Sequence, residues 1–145
     1  MAHIIECMLV GTVLLAGCAA PQGVEVGPRG GMVMSDDGRF TVEIPKGALE
    51  QDIDIVIDQM ECEPAESVGP CYVVEPVGLP LLTPGTVTVD LDWGLRDGLD
   101  VERLTVLTEN ERGWNALADR EVDTRDQVLT ASAVYLGSYA LATVD

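Results

Sequence analysis

Basic charge is what this 145-residue sequence has least of: eight Lys and Arg stand against 25 Asp and Glu, for a net charge of −17. Phosphate binding needs clustered Lys and Arg, so nucleic acid is excluded as a partner, and anionic membrane surfaces are disfavoured on the same ground. His3 is the single histidine, and it falls in a segment read below as a removed leader. Without it, neither a Ser-His-Asp nor a Cys-His nucleophile can be assembled in the mature chain. A Ser-Lys pair would have to use Lys46, the single lysine, which stands at a structural corner. Paired carboxylates could in principle do acid/base work, but so many acids make chance pairs common and the signal carries nothing. Aromatic residues make up only 4% of the chain, and no long segment has a 3.6-residue apolar period, which excludes a helical bundle.

What is present begins with an apolar run, Met8 to Ala16 (MLVGTVLLA). Nine residues are too few to span a bilayer, which takes about 20, but they match the core of a signal peptide. The run ends in Leu15-Ala16-Gly17-Cys18, which resembles the lipobox of bacterial lipoproteins. The resemblance implies that residues 1–17 are a signal peptide, that diacylglycerol is attached to the Cys18 thiol, and that a peptidase cuts just before it. Acyl chains then hold the protein to membrane lipid, each buried CH₂ contributing about 0.8 kcal/mol. The n-region, MAHIIE, departs from the pattern, since it has no Lys or Arg and contains Glu6. Ala19 follows Cys18, so the aspartate that retains many lipoproteins at the inner membrane is absent. By resemblance the location is the cell envelope, at the outer membrane or cell surface.

Residues 18–29 form a short Pro/Gly-rich tether, in which Val24 and Val26 can add a brief edge strand. Residues 30–145 are the body. Phe40, Val42 and Ile44 alternate with Arg39, Thr41 and Glu43, a period of two that marks a strand with one buried face. Pro45 stops it, Gly47 allows a backbone angle that a side chain forbids, and Ala48 and Leu49 can fold back as an apolar plug. Ahead of it, Gly31 to Met34 reads as a partner strand across a two-residue Asp37-Gly38 hairpin turn. Ile53 to Met60 reads as the next strand, Glu61 to Cys71 as a loop, Tyr72 to Glu75 as a strand, and Leu79 to Pro84 as a second corner. Thr86 to Trp93 alternates most clearly, with Val87, Val89, Leu91 and Trp93 on one side. Arg103 to Thr108 and Trp114 to Leu117 read as a hairpin, and Val128 to Ala133 and Tyr135 to Thr143 close the chain. Many short strands with Gly and Pro turns predict an all-β fold, an antiparallel β-sandwich.

Cys62 and Cys71 flank one loop, and an exported chain meets an oxidising space, so a disulfide between them is expected. A zinc site is excluded there, because two cysteines without a mature histidine are poor zinc ligands. Asp52, Asp54 and Asp58 lie on the polar side of one strand, and Asp90 and Asp92 on that of another. If those strands were neighbours, a calcium ion would relieve the repulsion between them; otherwise they form a solvated acidic face that hinders edge-to-edge aggregation. Trp93 and Trp114 are either sugar-stacking platforms or core residues.

Gly30-Gly31 followed by Gly38-Arg39-Phe40-Thr41-Val42-Glu43-Ile44-Pro45-Lys46-Gly47-Ala48-Leu49 resembles the opening of the ZU-five domain, the β-sandwich found in ankyrins, netrin receptors, zonula occludens scaffolds and bacterial surface proteins. Glu75-Pro76-Val77-Gly78 and Thr86-Val87-Thr88-Val89 resemble its second half, so the likeness covers roughly residues 28 to 95. It implies a domain that mediates protein–protein contacts and is not an enzyme. Some relatives cleave themselves before a closing strand. When Tyr135 to Leu141 is laid over that motif, Tyr135 stands at the base and Gly137 at the nucleophile, and both chemical roles are lost. The expectation is therefore a lipid-anchored, non-enzymatic envelope protein with an unidentified protein partner and no cofactor. The alternative is a calcium- or glycan-binding module of the same shape.

Overall fold

The computed structural model describes residues 23–92, 98 and 100–144. The leader, Cys18 and Trp93 lie outside the described residues. Among the described residues eleven strands follow in chain order: β1 (Val24–Val26), β2 (Gly31–Met34), β3 (Phe40–Ile44), β4 (Ile53–Met60), β5 (Ser67–Glu75), β6 (Pro80–Asp90), β7 (Leu104–Asn110), β8 (Gly113–Ala116), β9 (Ala118–Asp123), β10 (Val128–Tyr135) and β11 (Ser138–Thr143). One 3₁₀ turn, Val101–Arg103, precedes β7. The strands form two antiparallel sheets, one in the order β1-β4-β5-β11-β7-β8 and the other in the order β2-β3-β6-β10-β9. The fold is an all-β sandwich, as the two-residue periodicity predicts.

Alternation builds the interior. Phe40, Val42 and Ile44 of β3, Ile55 and Ile57 of β4, and Val87 and Val89 of β6 are all buried. Burying such a side chain contributes roughly 1.5–3 kcal/mol, which offsets the entropy of ordering the strands. Three of the six aromatics meet at one point. Phe40 stacks on Tyr72 of β5 with centroids 4.8 Å apart, and lies 5.5 Å from Tyr139 of β11. The three rings join the two sheets at the centre.

The corner after β3 folds as expected. Ala48 and Leu49 turn inward and are buried. Gly47, at φ +85°, donates its N–H to Pro28 O at 2.9 Å, and Leu82 N donates to Ala48 O at 2.9 Å. Gly30, at φ +83°, tolerates no side chain, because a Cβ would run into the Ile44 carbonyl.

Five details differ from the sequence reading. The Asp37-Gly38 pair lies inside a longer loop, closed by Ser35 N donating to Phe40 O at 2.8 Å. β5 begins at Ser67 rather than Tyr72, because Gly69 and Pro70 are carried in a stretch that pairs with β11 beyond the end of β4. β6 begins at Pro80; its partner ladder shifts register between Ala133 and Tyr135, and Pro84 sits opposite that irregularity. Tyr135 ends β10, and the last strand starts only at Ser138. β9 has no counterpart in the reading. The chain leaves β8 in one sheet and enters β9 in the other across Leu117, with Asp119 in the left-handed region at φ 57°.

Candidate functional site

The acidic positions do not converge. Asp54 and Asp58 are exposed on β4, and exposed Asp52 precedes it. Asp90 ends β6, and Asp92 follows two residues later, its N–H donating to Asp90 Oδ1 at 3.0 Å. β4 pairs with β1 and β5, whereas β6 pairs with β3 and β10. The two acidic groups thus belong to different sheets, with the core between them, and the neighbouring-strand condition for a shared calcium ion is not met. Among the described residues no group of three or more His, Cys, Asp or Glu is placed to hold a metal ion.

Cys62 and Cys71 form the expected disulfide, with Cα atoms 5.3 Å apart. It fastens the β4–β5 loop to the outer face of the six-stranded sheet. Outward-facing Trp114 of β8 donates its indole N–H to Glu63 Oε1 at 3.3 Å. Since β11 and β7 lie between β5 and β8 in the sheet, that bond bridges both strands. Thr143 N donates to Glu66 O at 3.1 Å, tying the loop to the end of β11. The loop is a strap, and the positions of β11 that face it are Ala140 and Ala142, both buried. Trp114 is half-buried on the outer face and is not part of the interior core.

Among the described polar ties that cross from sheet to sheet, two are built on a charged side chain, and the sequence flagged neither. In the first, Asp37 of the β2–β3 loop accepts from Ser35 Oγ at 2.6 Å, from Arg39 N at 2.9 Å, and from Tyr72 OH of the other sheet at 2.6 Å. Burial pushes the Asp37 carboxyl up, but the hydrogen bonds from Ser35, Tyr72 and Arg39 N, with the Arg39 charge, outweigh it and hold the group below its usual range. Burial, and then the Asp37 carboxylate, push the Tyr72 phenol well above its usual value. In the second tie, Arg120 of β9 donates from Nε to Leu104 O and from Nη2 to Val101 O at 2.8 Å and Glu102 O at 3.1 Å. Asp37 stands in a Ser-Asp-Asp-Gly turn, a motif that announces a local bond; its partner 35 residues away has no sequence signal.

Beside the corner, Ala48, Leu49, Ile53, Leu79 and Leu82 help to line a shallow groove of about 140 Å³. Leu82 is 64% exposed there, and Val77, two residues before Leu79 in the chain, is 63% exposed. At the closing strand, Tyr139 and Leu141 are buried, and Tyr139 OH donates to Tyr135 O at 2.6 Å. Gly137 lies in the corner before β11, where its carbonyl accepts from Val74 N at 2.8 Å. Both positions compared with the cleavage motif thus serve the backbone frame.

Compared with known proteins, the chain matches no protein-family model and no curated protein.

Proposed function

We propose that this is a lipid-anchored, non-enzymatic protein of the cell envelope whose ZU-five-like sandwich makes protein–protein contacts. The observation that carries the proposal is the nine-residue apolar run ending in Leu15-Ala16-Gly17-Cys18. The lack of any histidine beyond His3 supports a role other than acyl or proton transfer. Exposed Leu82 in the groove supports contact with another protein. With a chain charge of −17, the partner surface that fits is apolar and cationic.

The test is the intact mass of the protein purified from membranes. The expected product starts at Cys18 and carries diacylglycerol. An intact Met1, or an unacylated Cys18, overturns the anchor. The contact arm is tested by a photo-crosslinking side chain at Leu82, with exposed Ala116 as the control position. Crosslinks to one discrete protein from position 82 but not 116 support the contact surface, and equal labelling from both overturns it.

A further inference from the structure

We propose that the outer side of β2, with Met32 and Met34, rests on a zwitterionic lipid surface. The proposal rests on the anchor reading above. Gly23, where the described chain begins, is the fifth residue after Cys18, and those five steps reach at most about 18 Å when fully extended. Gly23 leads directly into β1, and β1 turns into β2 through Gly27 and Gly30, with Gly30 N donating to Gly27 O at 2.9 Å. The flank formed by β1 and β2 is therefore the part of the sandwich that an anchored chain holds nearest the bilayer.

Among the described residues, that flank carries exposed apolar side chains. Val33 points inward and is buried, while Met32 and Met34 are 57% and 58% exposed, and Val24 is 40% exposed. β2 is only four residues long, so half of it is given to solvent-facing methionine. Methionine is flexible and polarisable and suits a soft interface better than a rigid pocket.

The charges around the strand fit the same surface. Arg29 lies in the β1–β2 turn and Arg39 in the β2–β3 loop. Lys46 precedes Gly47, whose N–H is bonded to Pro28 O beside Arg29. Three of the chain's eight basic residues thus surround this one strand. Glu43 pairs directly with Met32, so the surroundings are mixed in sign. A headgroup carrying both phosphate and ammonium matches them; a purely anionic one is repelled by the whole chain.

Methionine oxidation reads the contact directly, because exposed thioethers become sulfoxides under mild peroxide. The acylated full-length product is placed on vesicles of phosphatidylethanolamine and phosphatidylcholine, and Cys18→Ser protein in solution is the reference. Met32 and Met34 are expected to oxidise at least about fivefold more slowly on the vesicles, with Met60 changed less than about twofold. Adding phosphatidylglycerol should weaken the protection. Equal rates at Met32 and Met34 on vesicles and in solution, with the acyl chains confirmed by mass, overturn the proposal while leaving the anchor intact. Protection of the Cys18→Ser protein that grows with protein concentration also overturns it, since a second copy would then cover β2. If no acyl chain is found, the anchor reading fails on its own. The Cys7→Ser protein coupled at Cys18 to a maleimide phospholipid then tests the surface separately, and unprotected methionines there overturn it.

Discussion

The two ties between the sheets that use a charged side chain do the same mechanical work with opposite chemistry. On the β3–β5 side a carboxylate, Asp37, gathers three donors, including the Tyr72 hydroxyl from the facing sheet. On the β9–β7 side a guanidinium, Arg120, reaches three backbone carbonyls. The acceptors of the second tie are backbone carbonyls, which do not titrate. Asp37 does titrate. A carboxyl held below its unfolded value adds stability at every pH above that value, near 3.8, and loses it as the pH falls through the lower folded value. The phenol has the opposite sense. Held above its ordinary value of 10.0, Tyr72 contributes fully below that value and loses its contribution as the pH rises toward the folded one. One side of the sandwich is therefore sensitive to pH at both extremes, while the tie on the other side is indifferent.

The largest effect should come from breaking the indifferent tie. Arg120→Ala removes the guanidinium from three carbonyls, of which Val101 O keeps the Leu104 N–H, and should lower stability by about 3 kcal/mol, with the same loss in urea melts at pH 5 and pH 8. Arg120→Lys should recover less than half, because an ammonium cannot fork across three acceptors. Next comes the disulfide, which ties a loop to its own sheet. Cys62→Ser with Cys71→Ser should cost about 2–3 kcal/mol and leave the pH profile unchanged. Tyr72→Phe should cost about 1–2 kcal/mol at pH 7, shrinking as Asp37 is protonated. A double-mutant cycle with Asp37→Asn should give a coupling of about 1 kcal/mol at pH 7 and near zero once acid has protonated Asp37. A coupling that persists unchanged in acid would erase the contrast between the two sides. The smallest expected effect is that of millimolar calcium on the melting temperature: none, since Asp52, Asp54 and Asp58 stand on one sheet and Asp90 leads off the other. A clear upward shift would show that one acidic group suffices for a cation.

Strands with one dry side were legible because alternation writes itself into residue type. Gly31 to Met34, Ile53 to Met60 and the core of β6 were readable for that reason. β9 was not. In Ala-Asp-Arg-Glu-Val-Asp, Arg120 stands where an apolar residue would have marked the inner side, and its stem and fork close the edge instead. Pro84 hid the first part of β6, because a proline reads as a corner unless a register shift absorbs it. The disulfide was legible from spacing and compartment. The strap it holds was not, because neither Glu63 nor Trp114 signals a bond 51 residues long in sequence. The acidic alternation was legible too, but which sheet each strand joins is decided by topology, and the period of two is silent about that.

At both flanks the sheet edges are successive pieces of chain: β1 passes into β2 through four residues, and β8 into β9 through one. The four edge strands are also short: three residues in β1, four in β2 and β8, and six in β9. Among the described residues, the ladder offered to a neighbouring copy is therefore at most six residues long. Copies crowded together at high concentration would meet wall to wall and part again, instead of zipping into a continuous sheet.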